Sequence, residues 1–310
     1  MSEPTRVISI AGSDRSGTTL LDTILGTVDG FFSAGELRYL WERGVLQERL
    51  CGCGEPIPLC AVWSQVLDRF PEMRRSDVAQ QMVDELRILR TRYAPFAMSP
   101  LLRERYAAQL SGLTSTFGEL LPATREIAGS RVIVDSSKRP LYTFMLSRVP
   151  NIELTVVHVV RDPRAVAHSR NRYKRQVDSG EDRGMTQASP ITSAISWDMW
   201  NIGVRSLSRR LPRYTVVRYE DLIADPASTV AGILDVAGVP EAATPFISGS
   251  TITLQPNHTV SGNPSRFTTG DIELRLDAAW RQDMRSIHRR SVTALTLPLL
   301  RRYRYPIRTG

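Results

Sequence analysis

The run Gly12-Ser13-Asp14-Arg15-Ser16-Gly17-Thr18-Thr19 constrains this chain more than any other segment. The short β-rich stretch Val7-Ile8-Ser9-Ile10 precedes it, and a helical pattern opens at Thr18 and continues through about Leu25. Strand, glycine loop and helix in that order start an α/β unit. The spacing is that of a P-loop, G-x-x-x-x-G-K-[ST]. Such a loop wraps backbone N–H groups around a phosphate and aims a helix N-terminus at it. Here Thr18 stands where the P-loop lysine belongs, and the basic group is Arg15, inside the loop. A nucleoside triphosphatase needs that lysine on the β- and γ-phosphates with a metal alongside. The loop therefore suits a phosphate that is not part of a metal-chelated triphosphate. The plain alternative is a Gly/Ser-rich turn, and the flanking strand, helix and Thr pair argue against it.

The rest of the chain continues the alternation. Phe31-Phe32-Ser33 reads as a second strand, with a helix from Glu36 through Trp41. The Cys51–Cys60 stretch is loop, because Gly52, Gly54, Pro56 and Pro58 interrupt it. Residues 61–125 are mostly helical and form an insertion. Arg131–Val134 is a strand with a helix after Pro140. Leu154–Val160 is continuously apolar and β-branched, as a strand buried on both faces must be. Asp162 and Pro163 then start a helix as N-cap and first helical residue. Residues 174–190 read as a mobile polar loop. A helix over 191–210, a strand at Tyr214–Val217 and helices over 226–237 and 272–288 complete the pattern. We expect an α/β fold: one domain over 1–310, with a P-loop-like parallel sheet flanked by helices and a helical insertion.

Lys plus Arg number 40 against 32 Asp plus Glu, a net charge of +8. That surplus favours an anionic partner: a phosphorylated small molecule, nucleic acid or an acidic membrane surface. Hydrophobic residues at 42% and charged residues at 23% suit a globular chain and exclude a disordered one. No apolar run approaches the roughly 20 residues of a membrane span. Val7–Ile10 is too short for a signal-peptide core, so a cytoplasmic protein is expected.

Four segments together resemble the PAPS-dependent sulfotransferases, where PAPS is 3′-phosphoadenosine 5′-phosphosulfate. Residues 12–21, Gly-Ser-Asp-Arg-Ser-Gly-Thr-Thr-Leu-Leu, are similar to the family's 5′-phosphosulfate loop. Val159-Val160-Arg161-Asp162-Pro163-Arg164-Ala165-Val166-Ala167-His168-Ser169 resembles its 3′-phosphate motif. Arg218-Tyr219-Glu220-Asp221-Leu222 is also family-like. His258-Thr259-Val260-Ser261-Gly262-Asn263-Pro264-Ser265-Arg266-Phe267 resembles a late cofactor-covering loop of bacterial members.

The resemblance implies transfer of a sulfuryl group from PAPS to an acceptor hydroxyl or amine, leaving 3′,5′-adenosine bisphosphate. It implies donor binding by Arg15, Ser16, Gly17, Thr18, Thr19, Arg161, Ser169, Tyr219, Ser261, Asn263 and Arg266. Arg161 and Ser169 would share the 3′-phosphate, because two helical turns bring Ser169 above the helix N-terminus. The plain reading pairs Arg161 with Asp162 instead. In tyrosylprotein and related sulfotransferases a glutamate after the phosphosulfate loop is the general base, and Glu36 occupies that place. A glutamate stabilising a helix N-terminus is the alternative. Cytosolic members carry a catalytic histidine near the strand end where this chain has Lys138-Arg139-Pro140. Lys138 instead matches the tyrosylprotein lysine that stabilises the leaving phosphate; a surface lysine is the plain reading. His258 is the alternative base.

No metal is expected. Cys51, Cys53 and Cys60 supply three sulfurs with no histidine nearby, short of the four ligands of a structural zinc site. They read as a loop staple, a redox thiol or a stretch without a role. His158 lies in the buried strand and reads as a satisfied core residue. The basic runs 169–175 and 301–304 belong to no nucleic-acid motif, so no nucleic-acid partner is expected. The helical insertion and the 174–190 loop should line the acceptor pocket. They carry no motif, so glycan, lipid, peptide tyrosine and natural-product alcohol all stand as acceptor classes. A P-loop kinase or triphosphatase, and a non-catalytic binder of nucleic acid or acidic membrane, are the rival readings.

Overall fold

Five strands form the central sheet: β1 (Thr5–Gly12), β2 (Phe31–Gly35), β3 (Val132–Lys138), β4 (Ile152–Val160) and β5 (Tyr214–Arg218). Their order is β2-β3-β1-β4-β5, and every neighbouring pair is parallel. The computed structural model describes residues 3–173, 175–178, 183–184 and 187–307.

Alternation along the strands explains the layers. Ile8, Ile10, Val134, Val157 and Val159 face one side, packed with Leu21, Ile24 and Leu25 of helix α1 (Thr18–Gly26). Val7 and Ile133 face the other, against Leu141, Phe144 and the apolar residues of the insertion, among them Trp63 and Phe117. Both faces are thus covered, as a parallel sheet requires. The insertion is helical as expected, its longest helix being Ser111–Ile127. Asp162 caps the helix Pro163–Asn171, its Oδ1 accepting from the Arg164 N–H at 2.9 Å.

Two expectations are corrected. The segment 272–288 is not one helix. Gly270–Glu273 is a strand pairing antiparallel with Thr251–Leu254, and the helices are Trp280–Asp283 and Ser286–Leu295. Ile272, Leu274 and Leu276 recur every second residue, which is a strand period. Within the 174–190 loop, Arg175–Gln176 pairs antiparallel with Arg183–Gly184. Residues 174, 179–182 and 185–186 of that loop lie outside the described residues. Among the described residues no helix is long and apolar enough to cross a membrane.

One buried carboxyl joins α1 to β3. Ser136 Oγ donates to Asp22 Oδ2 at 3.1 Å. Burial pushes the Asp22 pKa from 3.8 up to about 8, so it is protonated at neutral pH. The folded state then holds a proton that the unfolded chain releases above 3.8, and stability falls as pH rises toward about 8. Asp22→Asn removes that penalty. Melting temperatures of the two proteins, compared near pH 4 and near pH 8, should show the variant gaining on wild type as pH rises. A gap that shrinks with pH would contradict the buried neutral carboxyl.

Candidate active site

The strand order sets the place of the site. The glycine loop leaves β1 between β3 and β4, where chain direction across the sheet reverses, and ligands of open parallel sheets bind at such points. Lys138 ends β3 on one side of the loop, and Arg161 follows β4 on the other. Gly17 turns the chain into α1 with φ of +90°, and a Cβ there would lie 2.3 Å from the Tyr219 ring. Only glycine fits that close approach.

A cavity of about 560 Å³ opens above the loop. Arg15, Gly17, Thr18, Thr19, Glu36, Lys138, Arg161, Ser169, Tyr219 and Asn263 all line it. Arg15 and Asn263, 248 positions apart in sequence, are therefore brought to one surface. Six cations line it (Arg15, Arg43, Lys138, Arg139, Arg161 and Arg170) against the carboxylates Asp14 and Glu36. That surplus favours a ligand carrying several negative charges.

Glu36 follows β2 and Lys138 closes β3, and these strands are neighbours. Lys138 Nζ donates to Glu36 Oε1 at 2.7 Å, and both side chains are largely buried. Burial alone would raise the Glu36 pKa. Lys138, Arg43 and Arg38 outweigh it and hold the carboxyl below its ordinary range. Burial opposes the charge on Lys138 as well, and Glu36 and Asp14 more than restore it, raising its pKa. Arg15 and Lys138 share a further property. Both are non-glycine residues in the left-handed region, with φ of 65° and 66°. Such conformations cost about 1–2 kcal/mol each and collect at functional sites.

Arg161 is not paired with Asp162. Asp162 is taken by Arg164, whose Nη2 donates to its Oδ2 at 2.6 Å. Arg161 donates to the Arg15 carbonyl at 3.1 Å, reaches Asp277 at 3.4 Å and lies 4.5 Å over the Tyr219 ring. Among the described residues its Nε is buried without a hydrogen-bond partner. Glu220 serves behind the site, accepting from the Asp162 N–H at 3.0 Å and the Tyr305 hydroxyl at 2.7 Å. In the late loop, the Asn263 N–H donates to Thr19 Oγ1 at 3.2 Å. His158 is a satisfied core residue, held between the Tyr214 hydroxyl and the Asn201 side chain, and burial lowers its pKa to about 4.

Three expected donor-binding residues stand back from the cavity. Ser16 turns to Ser13, their hydroxyls 2.7 Å apart. Ser261 accepts from Arg43 Nη1 at 2.6 Å, and its carbonyl accepts from the Glu36 N–H at 3.0 Å. Arg266 needs correction as a donor ligand: it is fully buried, and its guanidinium is committed to the carbonyls of Thr259 and Leu50 and to Asp178. Sequence reasoning missed Arg43, which a wide helical turn, Leu40–Leu46, carries back toward Glu36. Its guanidinium packs 3.7 Å from the Tyr39 ring centroid, and that of Arg38 packs 3.8 Å from the same ring. The two-turn spacing from Glu36 was the available signal.

The cysteines are corrected too. His258 Nδ1 lies 3.2 Å from Cys60 Sγ and 4.0 Å from Cys51 Sγ, so a histidine does stand beside them. It does not line the cavity, whereas Glu36 does.

The parallel sheet thus carries a glycine loop at its switch point with a cation-lined cavity above it. A model of the "Sulfotransferase family" matches residues 8–243, and the chain belongs to that family. The sulfotransferase domain from the Synechococcus PCC 7002 olefin synthase is similar in fold: TM-score 0.56, 21% identity, 99% of this chain and 97% of that one covered. The sulfotransferase domain from the curacin biosynthetic pathway gives 0.50 at 16% identity, covering 98% and 99%. No curated protein sequence matches.

Proposed function

We propose that this sulfotransferase takes its sulfuryl group from PAPS and passes it to an acceptor hydroxyl or amine, with Glu36 as general base. The 2.7 Å Glu36–Lys138 pair inside the cation-lined cavity carries this reading. Residues 1–310 act as one catalytic domain. The donor set suits PAPS: the loop backbone with Thr18 and Thr19 holds the 5′-phosphate, and the unpartnered Arg161 Nε faces the need for a second phosphate. PAPS supplies an activated sulfur with a good leaving group.

The chain's own residues do the rest. The Lys138 ammonium has three donors, so it can reach a bridging oxygen from its place beside Glu36. When it also donates to that oxygen, its hold on Glu36 weakens, and it is the partner that most lowers the basicity of Glu36. Glu36 then takes the acceptor proton. The acceptor oxygen or nitrogen bonds to sulfur as the bond from sulfur to the bridging oxygen breaks. Arg15 and Lys138 neutralise the charge that builds there, and 3′,5′-adenosine bisphosphate leaves. Positioning and electrostatics provide the rate, as in phosphoryl transfer. The pattern of Glu36 with Lys138 follows the tyrosylprotein type.

The test is calorimetric titration with 3′,5′-adenosine bisphosphate and adenosine 5′-phosphate. A site built for the 3′-phosphate leaves the buried Arg161 Nε without a partner when that phosphate is absent. Hydrogen bonds to charged groups contribute about 1.5–3 kcal/mol, so preference for the bisphosphate should be at least about tenfold. Arg161→Ala should erase most of it. Equal wild-type affinities would refute the reading, and a preference surviving in Arg161→Ala would move the phosphate to Arg170.

A further inference from the structure

The Cys51–Cys60 loop meets the late loop through contacts that side-chain packing alone does not require. The Gly52 N–H donates to the Thr259 carbonyl at 3.0 Å. A Cβ on Gly52 would lie 2.0 Å from Asn257 Oδ1, so a larger residue there would displace the Asn257 side chain. The loop folds on itself, Cys51 N–H to Glu55 carbonyl at 2.7 Å and Gly54 N–H to Cys51 carbonyl at 2.9 Å. Arg266 braces both segments from below, donating to Leu50 and Thr259 carbonyls. Around this junction the ligand atoms of Cys51, Cys53, Cys60 and His258 all lie within 4.8 Å of one another.

We propose that these four side chains form a closed zinc site. A tetrahedral ion with zinc–sulfur bonds near 2.3 Å and zinc–nitrogen bonds near 2.05 Å sets nitrogen and sulfur about 3.6 Å apart. The 3.2 and 4.0 Å separations of His258 Nδ1 from Cys60 and Cys51 bracket that scale. Three soft thiolates and one imidazole are a structural zinc donor set, and hard cations would not choose it. Four protein ligands leave no open position, so the ion is structural. Phe32 stacks on the imidazole at 6.3 Å, and Trp63 Nε1 holds the His258 backbone by donating to its carbonyl. Bound zinc would fasten the 51–60 loop to the segment whose Ser261 carbonyl holds the Glu36 N–H. The metal thus supports the candidate active site from outside the cavity. The proposal stands whether or not the donor is PAPS.

The experiment is elemental analysis of the full chain, purified with reduced thiols and without a metal-affinity step. About one zinc per chain is expected. Cys51→Ser and Cys60→Ser should lower it at least about tenfold, while His258→Cys, which keeps four ligands, should retain it. Because a serine variant can fail to fold, the wild type is also stripped of zinc and titrated with cobalt(II). Absorption bands of tetrahedral thiolate-bound cobalt should saturate at about one equivalent and vanish on adding zinc. Folded, reduced wild type that holds no zinc and gives no cobalt bands would overturn the site. So would a Cys51–Cys60 disulfide, found by mass spectrometry, as the form in which the chain is purified and active.

Discussion

Glu36→Gln should lower turnover by roughly 10²–10⁴ while affinity for 3′,5′-adenosine bisphosphate stays constant or rises. Glutamine keeps the size and can still accept a hydrogen bond from Lys138, but it cannot take a proton. It also removes one of two carboxylates from a cavity lined by six cations, so an anionic ligand loses nothing by the change. Turnover and titration calorimetry on the same preparation read the two effects separately. The pH profile gives an independent readout. A base must be ionised, and Glu36 is held below the ordinary glutamate value of 4.5. The acid limb of kcat/KM, which reports the free enzyme, should therefore lie below that pH. A weakened affinity with unchanged turnover would make Glu36 a binding group, not the base.

Arg15→Ala should lower turnover by roughly 10²–10³ with the fold intact. Arg15 sits inside the glycine loop, lines the cavity and holds a left-handed backbone there. Its carbonyl, which the substitution keeps, still accepts from Arg161 at 3.1 Å. The loss therefore falls on the charge presented to the reacting group. Far-ultraviolet dichroism and melting temperature establish folding, and turnover supplies the answer. Near-wild-type turnover in a folded variant would remove Arg15 from the chemistry.

What the sequence revealed follows the range of each interaction. The strand, loop and helix at Val7–Leu25 were legible because local pattern decides them. The buried β4 strand was legible because a doubly covered strand has few polar choices. Glu36 and Lys138 were each marked by position at a strand end, but their contact depends on β2 lying beside β3. The cysteine cluster was misread because its fourth member, His258, lies 198 residues beyond Cys60. No local spacing rule reaches that far. Arg266 misled in the opposite way. Its motif places it beside Asn263 in sequence, yet the short helical turn Pro264–Phe267 turns it inward to Asp178. The alternation at Ile272 was legible and was read with the wrong period.

The central claim is transfer of a sulfuryl group from PAPS. Its most direct test is incubation of the purified chain with isotope-labelled PAPS and a cell-metabolite pool, with products resolved by mass. The expected result is a product that carries the label in a sulfate group, formed together with 3′,5′-adenosine bisphosphate and nearly absent with Glu36→Gln. It would be contradicted if the same pool gave phosphorylated products with ATP and magnesium and no labelled product with PAPS.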